Sequence, residues 1–137
     1  MEIEGYKSKS LYRNRTVGGG IKVYHLESIS VRVLENFTMC TDVNECLLLG
    51  ASVPGVGEIT ICSFYRIPNK PFPCFFDALN SLLQFCENRR SIFCGDFNLD
   101  VTEQPYSRPM QEFDLMISYR FLPKIKLPTY ISPSDFH

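Results

Sequence analysis

The stretch from Phe75 to Cys94 limits the possible folds more than any other. Phe75, Leu79, Leu82, Leu83 and Cys86 recur at helical spacing across residues 73–87, with Asn80 and Gln84 on the opposite face. That is the pattern of an amphipathic helix with one apolar stripe. Asn88-Arg89-Arg90 then leads straight into Ser91-Ile92-Phe93-Cys94, which reads as a short buried strand. Upstream, residues 46–49 form a solid apolar run suited to burial on both faces, and residues 58–65, EITICSFY, read as a second strand. The turn-rich GASVPGVG of residues 50–57 joins them, which predicts a hairpin. A hairpin, then a helix, then a strand predicts a layered α/β sandwich. With 137 residues, 45% of them hydrophobic, the chain is long and apolar enough for one domain with its own core.

The remaining segments are arranged around this unit. Residues 1–16 are polar, carry Lys7, Lys9, Arg13 and Arg15 and show no helix or strand period, so they read as a flexible arm ahead of a domain spanning residues 17–137. Val17-Gly18-Gly19-Gly20 punctuates the chain before Ile21-Lys22-Val23-Tyr24-His25-Leu26, which alternates like a half-buried strand. A phosphate-loop reading of these glycines fails, because the required spacing is missing and the loop opens onto a strand rather than a helix. Residues 29–34 are a further strand candidate. Pro68 and Pro71 end the strand of residues 58–65, leaving Tyr65, Arg66, Asn69 and Lys70 in a loop at its end. Beyond Asp100 the sequence predicts a short helix over residues 110–119, with Phe113 and Ile117 on one face, and an irregular, proline-rich end.

Charge and cysteines narrow the function classes. Fourteen Lys and Arg balance fifteen Asp and Glu, for a net charge of −1, so a nucleic-acid contact must come from local basic clusters rather than a global field. No apolar run of signal-peptide length is present, and none nears the ~20 residues that span a bilayer, so an intracellular, non-secreted protein without a membrane partner is expected. The six cysteines form no CxxC pair and four lie in apolar runs, which favours reduced core thiols over a disulfide framework. His25 sits within a strand and reads as a structural or surface residue.

Chemistry concentrates in residues 91–100, SIFCGDFNLD, where a buried run gives way to carboxylates and amides. Gly95 allows a sharp turn, and Asp96, Asn98 and Asp100 share one side if the chain stays extended. A calcium loop opens in the same way but needs Gly at its sixth and Glu at its twelfth position, where this chain has Val101 and Ser107. Two readings stay open: a turn cluster capped by Asp and Asn, which composition alone favours, and a catalytic carboxylate and amide pair.

Gly95-Asp96-Phe97-Asn98 resembles the GDFN motif of the endonuclease/exonuclease/phosphatase superfamily, and Leu99-Asp100 fits its form in the endonucleases of non-LTR retrotransposons. Residues 17–24 are similar to that family's glycine-rich approach to a strand, residues 63–69 to its YRPPN loop with Ile67 replacing a proline, and Pro128-Thr129 to a later PT motif. The resemblance covers residues 17–130. It implies an α/β (α+β) fold, a partial β-sandwich of mixed, largely antiparallel sheets flanked by helices. It also implies Mg2+-dependent cleavage of DNA phosphodiesters. Asp96 would orient or activate the attacking water and is the possible metal ligand. Asn98 would stabilise phosphate charge or help hold the metal, Tyr65 would sit beside the scissile phosphate, and Arg66 and Asn69 would contact phosphate.

The family's metal-binding Glu, on strands ahead of the glycine-rich segment, and its SDH histidine have no counterpart here. Glu2 and Glu4 lack the surrounding strand, and in Ser134-Asp135-Phe136-His137 the extra Phe136 shifts the histidine out of phase. The expectation is an incomplete endonuclease domain with weak or no activity alone. The alternative is an inactive remnant that binds protein or nucleic acid.

Overall fold

In the computed structural model the described residues are 1–13, 19–68, 70, 72–98, 109–122 and 124, without the side chains of residue 72 and residues 109–113. Two compact units result, Met1–Asn98 and Leu99–His137. The first holds seven strands and a helix among its described residues: β1 (Tyr6–Leu11), β2 (Ile21–Leu26), β3 (Ser30–Val33), β4 (Met39–Cys40), β5 (Asn44–Val53), β6 (Gly57–Arg66), α1 (Phe72–Cys86) and β7 (Ser91–Asp96). The second holds α2 (Pro109–Ser118), which ends with Arg120 at φ 66° and Phe121 N donating to Met116 O at 2.9 Å.

The predicted hairpin is the centre of the fold. β5 and β6 pair antiparallel from Asn44↔Arg66 to Val53↔Gly57. Strand pairing continues further into the GASVPGVG segment than its composition indicates, and the turn shrinks to residues 54–56. Pro54 presets its first corner, Gly55 takes φ 78° at the second, and Val56 N donates to Val53 O at 3.1 Å, the geometry of a type II turn. β3 and β4 share the outer edge of β5, and β7 pairs parallel with β6, completing a five-stranded mixed sheet. β1 and β2 form a separate antiparallel pair.

Within the segment read as a flexible arm, residues 6–11 form the strand β1. Its sequence, YKSKSL, has no apolar alternation because a two-stranded ribbon buries little. Its backbone pairing with β2, from Tyr6↔Leu26 to Leu11↔Ile21, supplies the order instead. β4, only two residues long, is likewise below the length at which a pattern shows.

β5 is buried from Asn44 to Ala51, as the apolar run predicts. Its two faces meet different partners. Cys46, Cys62 and Phe64 face α1, where Phe75, Leu79, Leu82, Leu83 and Cys86 are all buried and the Phe64 and Phe75 rings meet edge to face at 5.5 Å. Glu45 and Tyr65 face the β1–β2 side. α1 stops where Asn88 takes φ 63° and Arg89 N bonds Cys86 O at 3.0 Å, so asparagine fills a cap position that glycine usually holds.

All six cysteines carry free thiols, and Cys46, Cys62 and Cys86 are buried. Cys46 and Cys62 lie 3.5 Å apart, and this contact, reinforced by burial, pushes the Cys62 thiol well above its ordinary range. The folded thiol therefore stays protonated where the unfolded one, at about 8.5, ionises. Its stabilising contribution is complete below that value and declines as pH rises through and beyond it. The urea midpoint should fall between about pH 7.5 and 9.5, and fall less in Cys62→Ala. Equal declines in both proteins would assign the effect to another group.

Candidate active site

Parallel pairing of β6 with β7 sets Phe64 opposite Gly95 and Tyr65 opposite Asp96, and antiparallel pairing with β5 sets Tyr65 opposite Glu45. Glu45, Tyr65 and Asp96 thus form one row across three neighbouring strands, spanning roughly 10 Å at about 4.8 Å per strand. The row lies at the carboxyl ends of the parallel pair β6 and β7, the side of such strands on which ligands bind in open α/β sheets.

Gly95 makes the close of β7 possible. It sits at φ 142°, and a Cβ there would lie 1.8 Å from the carbonyl oxygen of Phe64. Only glycine lets the two backbones approach this closely. Phe97 then folds back and stacks on Phe64, with centroids 5.7 Å apart and planes 7° apart. Phe64 is therefore held between Phe97 and Phe75, which fixes Phe97 just beyond the end of β7.

Beyond Asp96 the chain leaves the extended conformation. Asn98 adopts φ 48°, so alternate positions do not align as the extended reading expects. Asp96 Oδ1 instead accepts from Asn98 N at 2.9 Å, an Asx turn, and Asn98 Nδ2 donates to Arg66 O at 2.6 Å. The carbonyl acceptor defines which end of the Asn98 amide is nitrogen and leaves Oδ1 pointing elsewhere. Among the described residues the second carboxylate oxygen of Asp96 has no partner, and both Asp96 and Asn98 are exposed. The turn reading and the site reading of this motif are compatible: the turn's hydrogen bonds are what hold the two side chains.

Arg66, at the end of β6, places its guanidinium 5.3 Å from the Phe75 ring centroid and reaches Asn98 O at 3.5 Å. Among the described residues its buried Nε has no hydrogen-bond partner. Asn69, Asp100, Pro128-Thr129 and His137 lie outside the described residues. His25 is half-buried on β2, with Nδ1 2.9 Å from Leu26 O. An open cleft of about 510 Å³ runs between β2 and the ends of β6 and β7, lined by Gly20, Lys22, Tyr24, Ser63, Tyr65 and Asp96 among others. Among the described residues no three His, Cys, Asp or Glu side chains converge as a cation site, so Asp96 and the Oδ1 of Asn98 are the oxygen donors on offer. One carboxylate with water is within the range of magnesium coordination, which takes one or two carboxylates and keeps several waters.

The fold matches a solved structure, the endonuclease domain of TRAS1, a telomere-specific non-LTR retrotransposon, with a TM-score of 0.65 and 18% sequence identity. What the chain shares with that domain is its fold. The match covers 85% of this chain and 53% of that domain, so the chain spans about half the length of the retrotransposon endonuclease it resembles. No family model and no curated protein matches the chain. Among the described residues no helix is long and apolar enough to cross a membrane.

The sequence reading missed two residues beside this row. Glu45 is fully buried on β5, and Arg13, in the segment read as an arm, is its ion-pair partner. The available signal was the single carboxylate in the otherwise apolar NECLLLGA, since a charge is almost never fully buried unless it is paired.

Proposed function

We propose that the chain is a Mg2+-dependent DNA endonuclease of retrotransposon type that hydrolyses phosphodiesters at the ends of β6 and β7. The observation that carries this reading is the register setting Tyr65 beside Asp96, with Asn98 locked to Arg66 by a 2.6 Å hydrogen bond. The second oxygen of Asp96 takes the proton of an attacking water, while the Asx turn holds the carboxylate in one orientation. Tyr65 offers its hydroxyl to a phosphate oxygen, and the free N–H of the Asn98 amide adds a second donor as charge grows there. Arg66 supplies positive charge at the same strand end, and Asn69 is the further phosphate contact. A magnesium ion held by Asp96, with Asn98 Oδ1, would neutralise charge on the phosphate. Because the chain spans about half of the matched domain, its turnover by itself is expected to be weak.

Supercoiled-plasmid nicking tests this reading. Asp96→Ala should lower the Mg2+-dependent rate by about 10² to 10⁴-fold, the range general-base catalysis contributes, without loss of folding, because Asp96 is exposed. Nicking that survives this substitution would remove Asp96 from the mechanism. DNA binding without turnover in any divalent ion would make the chain an inactive binding module.

A further inference from the structure

We infer that Arg13, clamped by the buried carboxylate of Glu45, is a positioning residue that orients Tyr65. The inference rests on the endonuclease reading of Tyr65 and starts from Glu45, which is 0% exposed and sits directly opposite Tyr65 in the strand register. Both oxygens of Glu45 are engaged. Oε1 pairs with Arg13 Nε and lies 3.9 Å from the Cys40 thiol, and Oε2 accepts from Gly20 N at 3.3 Å. The guanidinium so held lies 5.6 Å from the centre of the Tyr65 ring. Glu45, and to a lesser degree Tyr65, holds the Arg13 pKa above its ordinary value.

The glycine-rich loop, which is no phosphate loop, acquires a role here. A Cβ at Gly19 would lie 2.6 Å from the guanidinium carbon of Arg13, and one at Gly20 would lie 2.6 Å from Leu11 O. Gly19 gives Arg13 its passage to Glu45, while Gly20 lets the start of β2 approach the Leu11 backbone and donates its N–H to the same carboxylate. The chain thereby brings the end of β1 and the start of β2 onto the Glu45–Tyr65–Asp96 row. A buried ion pair is weak evidence for stability, because apolar residues of similar size fill such a site as well or better. Its position against Tyr65 gives the pair a purpose that packing does not.

The test places 3-fluorotyrosine at position 65 alone and reads its ¹⁹F resonance, which does not depend on turnover. Because Arg13→Gln by itself can unfold the chain, the double variant Arg13→Gln/Glu45→Gln, which keeps a neutral hydrogen-bonding pair, carries the decision. Its resonance should move to the shift of a solvent-exposed tyrosine, and Arg13→Lys should lie between it and the wild type. Nicking should fall by about 10²-fold in the double variant, the size of effect a displaced site residue produces. That loss should vanish when Tyr65→Phe is already present. An unchanged ¹⁹F resonance, or an equal loss of nicking with and without Tyr65→Phe, overturns the inference. If the wild type does not nick at all, the endonuclease reading fails and the ¹⁹F comparison alone decides the positioning.

Discussion

Gly95→Ala is expected to cost more than about 4 kcal/mol of folding stability, the exceptional end of the range for single substitutions. The added methyl would lie 1.8 Å from Phe64 O, 2.7 Å from its carbonyl carbon and 2.9 Å from its nitrogen, all of them backbone atoms of the central strand β6. No side-chain rotation relieves such a clash. Either β7 separates from β6, losing the pairing that sets Tyr65 against Asp96, or the backbone of the core strand moves. A typical domain has only about 5–15 kcal/mol in total, so the variant should be largely unfolded or recovered with β7 detached. Urea unfolding followed by circular dichroism measures this. Gly55→Ala is the control: at φ 78° with nothing within 4 Å, it should lose only the roughly 1–2 kcal/mol of a left-handed alanine. Equal midpoints for the two variants would contradict the close approach of β7 to β6.

Arg13→Met is the second large effect, expected to cost about 3–5 kcal/mol, the cost of stranding one partner of a buried pair. Glu45 has no exposed surface and the Arg13 side chain is 23% exposed, so solvent screens the pair little. Among the described residues the other ion pair, Arg32 with Glu58, is 55% and 46% exposed, and its removal should be nearly silent by comparison. Adding Glu45→Leu to Arg13→Met should recover most of the stability, since an apolar pair of similar volume suits the site. Gly20 N would then lack its acceptor, so recovery should stop short of completeness. If Arg13→Met shifted the urea midpoint no more than Arg32→Met, the Glu45 carboxylate would have to be hydrated rather than buried.

The two substitutions separate what kinds of information the chain carries. Local chemistry was legible wherever a residue type admits few backbone states or a period is long enough to read. The stripe of Phe75, Leu79, Leu82, Leu83 and Cys86 became α1, the run at residues 46–49 became part of the buried stretch of β5, and Pro54 and Gly55 became the corners of a type II turn. The GDFN stretch was identifiable as the chemical centre because polar groups follow a buried strand. Its internal geometry was not, since Asn98 at φ 48° depends on a hydrogen bond to Arg66 O thirty-two positions away.

β1 escaped the sequence reading because its order comes from pairing with β2, and a polar ribbon leaves no hydrophobic alternation to detect. Glu45 stood in plain view as a charge within an apolar run, but its partner lies thirty-two residues earlier, with β2, β3 and β4 between them, and nothing local announces the contact. By itself the sequence determined the order of the hairpin, helix and following strand, because this follows from side-chain periodicity and turn composition along short stretches, whereas the requirement for glycine at position 95 comes from the approach of β7 to the Phe64 backbone. Only the tertiary structure decided that Glu45, Tyr65 and Asp96 stand in one row with Arg13 against it. That row depends on the register of three strands, and register is fixed by contacts between residues far apart in the chain.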